Sequence, residues 1–184
     1  LSPAIGPPEV PTNIQGTDFD QAILTGSDLT EVEGGCTAQA CTRFDEALLQ
    51  STTWTDAFLG DVSFLEADLG SATFLGADLG GAELAQSNLA NADLSTAILQ
   101  GAHATDLSGC PGLGQLPAKW FCLPVGLVGP FNLVGPGADL SGADLSGGNL
   151  ASLDLTSAVF TDADLTDADL MSAELTDVNW SGAI

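Results

Sequence analysis

The chain has 184 residues, enough for one modest domain, and sets 25 acidic side chains against two cations, Arg43 and Lys119, for a formal charge of −23. So few Lys and Arg exclude nonspecific nucleic-acid binding, which rests on phosphate contacts, and they disfavour an anionic membrane surface for the same reason. No stretch is apolar for long enough to span a bilayer.

The first eleven residues, with Pro3, Pro7, Pro8 and Pro11, read as an extended arm (1–11). The arm lacks Met and a charged, apolar signal segment, as a processed terminus or the edge of a longer chain would. From residue 12 a five-residue beat begins. Its large residues are Ile14, Phe19, Leu24 and Leu29, then Phe44 through Leu99. This first block (12–104) is disturbed once, at Gly34–Cys41, where Gly34 and Gln39 fall on positions due a large residue. A Pro- and Gly-rich interruption follows (105–135). The beat returns in a second block (136–184), marked by Leu140, Leu145, Leu150, Leu155, Phe160, Leu165, Leu170, Leu175 and Trp180. Two residues before each mark sits a small or aliphatic residue, and one before sits mostly Asp, Asn or Glu. No cap follows Trp180, as expected if the polypeptide continues or the end meets another subunit.

Five suits neither regular local structure. On an α-helix it drifts by about 140° per repeat, so no apolar stripe forms. On one long strand an odd period sends successive leucines to opposite faces. The chain must therefore turn once per repeat, so that each large residue points inward again. That is a solenoid whose coils pair by backbone hydrogen bonds, roughly 4.8 Å apart. Small residues at the second inward position predict a narrow interior.

The repeated A(D/N)LSG pattern, as in Ala138-Asp139-Leu140-Ser141-Gly142 and Ala143-Asp144-Leu145-Ser146-Gly147, resembles the pentapeptide-repeat family. The resemblance implies an all-β fold, a right-handed quadrilateral β-helix with four five-residue repeats per coil, here interrupted by one long loop. With four repeats per coil, Asp144 lies under Asp164, Asn149 under Asp169 and Asp154 under Glu174. Like charges about 5 Å apart in water repel by roughly 0.8 kcal/mol, so the acidity costs stability while keeping the rod soluble.

The four cysteines form two close pairs at irregularities of the beat, Cys36 with Cys41 and Cys110 with Cys122. An even count so placed predicts two disulfides and an oxidising compartment. The interruption carries Trp120, Phe121, Leu123, Val125, Leu127, Val128 and Phe131. It is expected to fold back over the solenoid, pinned by Cys110–Cys122. Trp120, Phe121, Leu123 and Phe131 are the candidate interaction residues.

Catalysis finds little support. His103 is the sole histidine, at an outward position and expected to be solvated; Asp106 and Ser108 near it are weak grounds for a triad. The sequence calls for no cofactor. Asp162, Asp164, Asp167 and Asp169 gather hard oxygen donors, enough for loose Ca²⁺ or counterion binding, without the loop spacing of a dedicated calcium motif.

The expected function is that of a non-enzymatic structural or protein-binding solenoid outside the cytoplasm, whether secreted, periplasmic or lumenal. It would work through its acidic faces, its insertion, or end-to-end self-association into an assembly such as a filament. The alternative is a DNA mimic. Family members of the quinolone-resistance type are acidic rods that resemble duplex DNA and occupy a type II topoisomerase. The charge fits that picture; paired cysteines and the lack of a helical period after Trp180 do not.

Overall fold

Parallel bridges join residues twenty apart from Arg43 to His103: Arg43 to Ser63, Leu48 to Asp68, Thr53 to Thr73, Phe58 to Asp78, and so on to Glu83 with His103. The coil therefore closes after four repeats and has four walls. In stacking order their outward residues begin Asp18, Arg43, Ser63 (wall 1), Ile23, Leu48, Asp68 (wall 2), Asp28, Thr53, Thr73 (wall 3) and Asn13, Glu33, Phe58, Asp78 (wall 4). The structure is a computed structural model and describes residues 12–125 and 130–184. The arm expected over 1–11, and Leu127 and Val128 of the insertion, lie outside the described residues.

One repeat shows how the backbone is satisfied. In Ala67-Asp68-Leu69-Gly70-Ser71, Asp68 N–H donates to the coil before (Ala47 C=O, 2.9 Å). Leu69 and Ser71 donate to the coil after (Asn88 C=O, 2.9 Å; Ala90 C=O, 2.8 Å), and Ala67 closes the preceding corner on Phe64 C=O (3.0 Å). Only Gly70 N–H is left over, and Asp68 Oδ1 accepts it at 3.1 Å. The same bond runs from Ser141 to Asp139, Ser146 to Asp144, Ala151 to Asn149 and Thr166 to Asp164. Backbone groups beside a packed core must be paired, so the Asp or Asn of each repeat is an acceptor before it is a charge.

The corners, Thr96 apart, place their second residue in the left-handed region: φ is 57° at Glu46, 55° at Asp56 and 58° at Asp61. That conformation costs a non-glycine residue roughly 1–3 kcal/mol, least for short polar side chains. Gly, Asp, Ser, Asn, Gln and Glu accordingly fill these sites. Thr96, a β-branched residue at such a corner, is absent from the positive-φ set.

The interior is a column of fully buried side chains, among them Phe44, Leu49, Trp54, Leu59, Phe64, Leu69 and Phe74, backed by Ala47, Ala57, Ala67 and Ala77. Rings on one wall stack coil to coil, Phe19 on Phe44 at 4.8 Å and Phe44 on Phe64 at 5.4 Å. Trp54 reaches across from the opposite wall and meets Phe44 and Phe64 edge-on at 5.2 and 5.6 Å. Opposite walls are thus in contact, and Ala is what leaves room. The buried indole N–H of Trp54 donates to Thr52 Oγ1 (2.7 Å), whose hydroxyl donates to Leu49 C=O (2.6 Å).

The first irregularity is one repeat lifted out of the wall. Bridges offset by twenty-five, such as Asp18 to Arg43 and Glu33 to Phe58, flank it. Cys36 and Cys41 pair antiparallel at its neck, and Thr37 N–H donates to Ala40 C=O at 2.7 Å. Gln39 is therefore exposed on this ear rather than inward, and the beat resumes at Phe44 because five residues were removed from the coil.

If the acids serve the backbone, charge and acceptor can be separated at Asp144, stacked under Asp164. Asp144→Asn keeps the acceptor for Ser146 N–H and removes one repelling charge, so urea unfolding should show equal or slightly higher stability. Asp144→Ala should lose about 1 kcal/mol. Equal stability of the two variants would contradict the backbone role.

Candidate functional site

The insertion is built into the stack. Leu89 N–H donates to Gly109 C=O (3.1 Å) and Leu94 N–H to Gln115 C=O (2.8 Å), so the ladder continues beyond residue 104. The chain then forms an antiparallel pair, β1 (Phe121–Pro124) and β2 (Phe131–Val134). β2 runs beside the coil at 104–107, with Leu107 and Phe131 exchanging bonds of 2.8 and 3.1 Å. The second block takes up the stack where Asp139 pairs over His103 and Gly101 N–H donates to Gly137 C=O (2.7 Å). The phase between the blocks, open in the sequence, is thereby set.

Three side chains hold the insertion together and tie it to the second block. Asn132, 1% exposed, accepts Asp106 N–H at Oδ1 (3.1 Å) and donates from Nδ2 to Asp144 C=O (2.9 Å). Lys119 Nζ meets Asp154 Oδ2 at 2.5 Å. Trp120 is 8% exposed and packs on Gly135, where an added Cβ would stand 2.6 Å from the indole Cδ2. Counting back from Leu140 puts an inward position at 135, and glycine occupies it. The indole fills the volume a leucine would have taken.

Of the candidate interaction residues, Trp120 is buried, Leu123 and Phe131 are half-buried against the core, and Phe121 stays 43% exposed. Phe121 borders a pocket of about 330 Å³ with the fully exposed Leu113, Leu116, Trp120 and Cys122. A second groove of about 350 Å³ opens on the other side of Trp120, between Ile98 and Thr156. The sulfurs of Cys110 and Cys122, and of Cys36 and Cys41, are brought together, with Cα separations of 6.3 and 3.8 Å.

Electrostatics follow the contacts. The Lys119 ammonium, with the Thr156 hydroxyl and N–H, pulls the Asp154 carboxyl down to about 2. Thr30 and Thr166 hydroxyls and amides lower Asp28 and Asp164 in the same way. Arg43 pairs with Asp20 (2.8 Å) and Asp45 (2.7 Å). His103 is not the solvated histidine expected. Its Nδ1 meets Glu83 Oε2 at 2.9 Å and its Nε2 meets Thr105 Oγ1 at 3.1 Å, so Asp106 and Ser108 are not its partners. The Glu83 hydrogen bond raises its pKa, outweighing partial burial. Nothing in the beat pointed to Glu83 except the twenty-residue offset. Asn132 carried no sequence signal, and Gly135 only that of a missing large residue. Among the described residues, no group of three or more His, Cys, Asp or Glu converges to hold a metal ion, and no helix is long and apolar enough to cross a membrane.

Gly135→Ala should destabilise by about 1–3 kcal/mol through the indole clash, and Trp120→Ala by about 3–5 kcal/mol through the cavity left. Denaturant unfolding of each checks this; an unaffected Gly135→Ala would mean that the indole is seated elsewhere. Lys119→Met should raise the Asp154 carboxyl, read by NMR titration, though short of the ordinary 3.8 because Thr156 remains. A carboxyl held low in the fold stabilises above its unfolded pKa. The Asp154 contribution therefore persists in full above 3.8 and fades as pH falls toward about 2. In Lys119→Met it should be smaller and vanish at higher pH.

A family model for pentapeptide repeats matches in eight copies, over residues 63–101, 72–110 and 138–177. Among solved structures, the pentapeptide-repeat protein Rfr23 of the cyanobacterium Cyanothece 51142 is 23% identical, with 56% of this chain and 67% of that chain covered and a TM-score of 0.50; this likeness shows the fold. QnrB1, described as a plasmid-mediated fluoroquinolone resistance protein, aligns at 19% identity over 94% of this chain and 80% of its own, with a TM-score of 0.42. A pentapeptide-repeat protein from the Arabidopsis thaliana thylakoid lumen aligns at 22% identity over 80% and 70%, with a TM-score of 0.37. No curated protein sequence matches. The five-residue beat, the four-walled stack and the family-model matches over 63–110 and 138–177 agree: the chain is built of pentapeptide repeats.

Proposed function

We propose that this protein is a non-enzymatic, protein-binding β-solenoid that works outside the cytoplasm. The observation that carries the reading is the pairing of all four cysteines at the two places where the chain leaves the regular coil. Disulfides there would fix both excursions while the repeats hold themselves. Such cross-links persist in secreted, periplasmic or lumenal proteins. Partner contact is assigned to the insertion, where Leu113 and Phe121 stay exposed around an apolar pocket. The repeat's carboxylates are spent largely on corner amides, which supports a scaffold role over chemistry.

The charge of −23 on a rod also favours a second reading, a DNA mimic that binds a type II topoisomerase. Cytoplasmic thiols would be its companion. Intact mass of the native protein, before and after reduction, separates the two. A gain of four protons would establish two disulfides and the extracytoplasmic reading. Free thiols would overturn it, and inhibition of DNA supercoiling would then be the assay. Sedimentation of the same sample would report end-to-end self-association as a concentration-dependent series.

A further inference from the structure

Wall 4 carries an outward pattern that the fold does not require. In stacking order it reads Asn13, Glu33, Phe58, Asp78, Ile98. Phe58 is 56% and Ile98 54% exposed. Equivalent outward positions hold Ser63, Asp68, Thr73 and Asn88, so the coil forms without an apolar residue there. Coils stack roughly 4.8 Å apart, which sets the two apolar side chains about 10 Å apart with one carboxylate between them and another beyond. Past Ile98 the wall opens into the groove beside Trp120 and Pro136. Both cysteine-bracketed excursions border this wall. The ear leaves it after Glu33, and Lys119 and Trp120 sit at its far end, against Asp154 and the groove.

Among the described residues, Glu33 and Asp78 of this wall meet no cation. The chain's two Lys and Arg side chains are already engaged, Arg43 with Asp20 and Asp45, and Lys119 with Asp154 at the far end of the wall. We propose that wall 4 is the docking surface for a cationic amphipathic α-helix of a partner protein. This rests on the protein-binding reading above and gives the partner its chemistry. A helix laid along the stacking axis returns the same face after seven residues, roughly 10.5 Å, and a near neighbour after three or four, roughly 4.5–6 Å. Apolar side chains at i and i+7 meet Phe58 and Ile98. Lys or Arg at i+3 or i+4, and at the matching position before i, meet Asp78 and Glu33. The next apolar residue, at i+11 and roughly 16 Å along, reaches the groove at Trp120. An extended strand repeats its face every roughly 6.8 Å and falls out of step with the ladder.

The probe is a synthetic peptide of about 18 residues, roughly 27 Å of helix, with Leu at i, i+7 and i+11 and Lys on the flanking positions of the same face. Its control is a scrambled peptide of the same composition. Calorimetry should show the patterned peptide binding at least about tenfold more tightly, and circular dichroism should show it gaining helix on binding. Phe58→Ser with Ile98→Asp, residue types already found at equivalent positions, should weaken binding at least about tenfold; Leu113→Ser with Phe121→Ser should not. Equal binding of the two peptides, an unchanged affinity in the wall 4 variant, or no binding would overturn the proposal. A loss of affinity confined to the Leu113/Phe121 variant would also overturn it, while leaving the protein-binding reading in place on the insertion.

Discussion

Every part of this protein depends on the satisfaction of five backbone N–H groups per repeat within a coil only four repeats around. Two go to the coil on one side, one to the coil on the other, one to the corner, and the fifth, where the repeat carries an Asp or Asn, to that side chain. The accounting closes only if the chain turns after each large residue, so the corner geometry and the position of the acid are one constraint. The acidity of the chain is in good part a by-product of this demand. Asn answers it equally well at Asn88, Asn149 and Asn179. The preference for Asp over Asn at the remaining sites is where solubility and partner choice enter.

The narrow interior is the second consequence. With aromatic rings from opposite walls in edge contact, the core has no slack for a second large residue per repeat, and it holds few polar atoms. Ser87 is a buried exception, its hydroxyl without a partner at a position where Ala47 and Ala67 stand on other coils. A solenoid of this kind cannot hide a catalytic cleft inside its walls. Function has to sit on the outward positions or where the coil is interrupted.

The two interruptions obey the same rule in different ways. The ear removes one whole repeat, so the ladder passes it without loss of register. The insertion replaces part of a coil, and each thing the missing repeats would have supplied is supplied from elsewhere. Gln115 offers the carbonyl that Leu94 needs, β2 pairs along 104–107, the Trp120 indole takes the inward volume at Gly135, and Asn132 bridges to the block above. The seam between the blocks is held by ladder bonds from Gly101 to Gly137 and from Asp139 to Ala102, and by the Asn132 and Lys119 side chains. His103, bonded to Glu83 beneath Asp139, lies on this seam. Its pKa is raised in the fold, so it stabilises the seam below its ordinary value near 6.5, and the contribution fades as pH rises through the raised value.

The repeat by itself determined the architecture. A period of five admits one way of keeping Leu140, Leu145 and Leu150 inward, and the stacking of Asp144 on Asp164 and Asp154 on Glu174 followed from the coil length that the family resemblance implied. Local patterning carries that information because each repeat meets the same neighbours at the same offset. The places where the offset changes were illegible. That Gln39 leaves the wall, that Trp120 fills the site of Gly135 and that Asn132 joins the insertion to the second block depend on segments whose spacing obeys no period, whereas Glu83 and His103 stand one coil apart. Only the path of the folded chain sets which of them meet, because packing volume and unpaired backbone groups are properties of the finished stack rather than of any five residues within it.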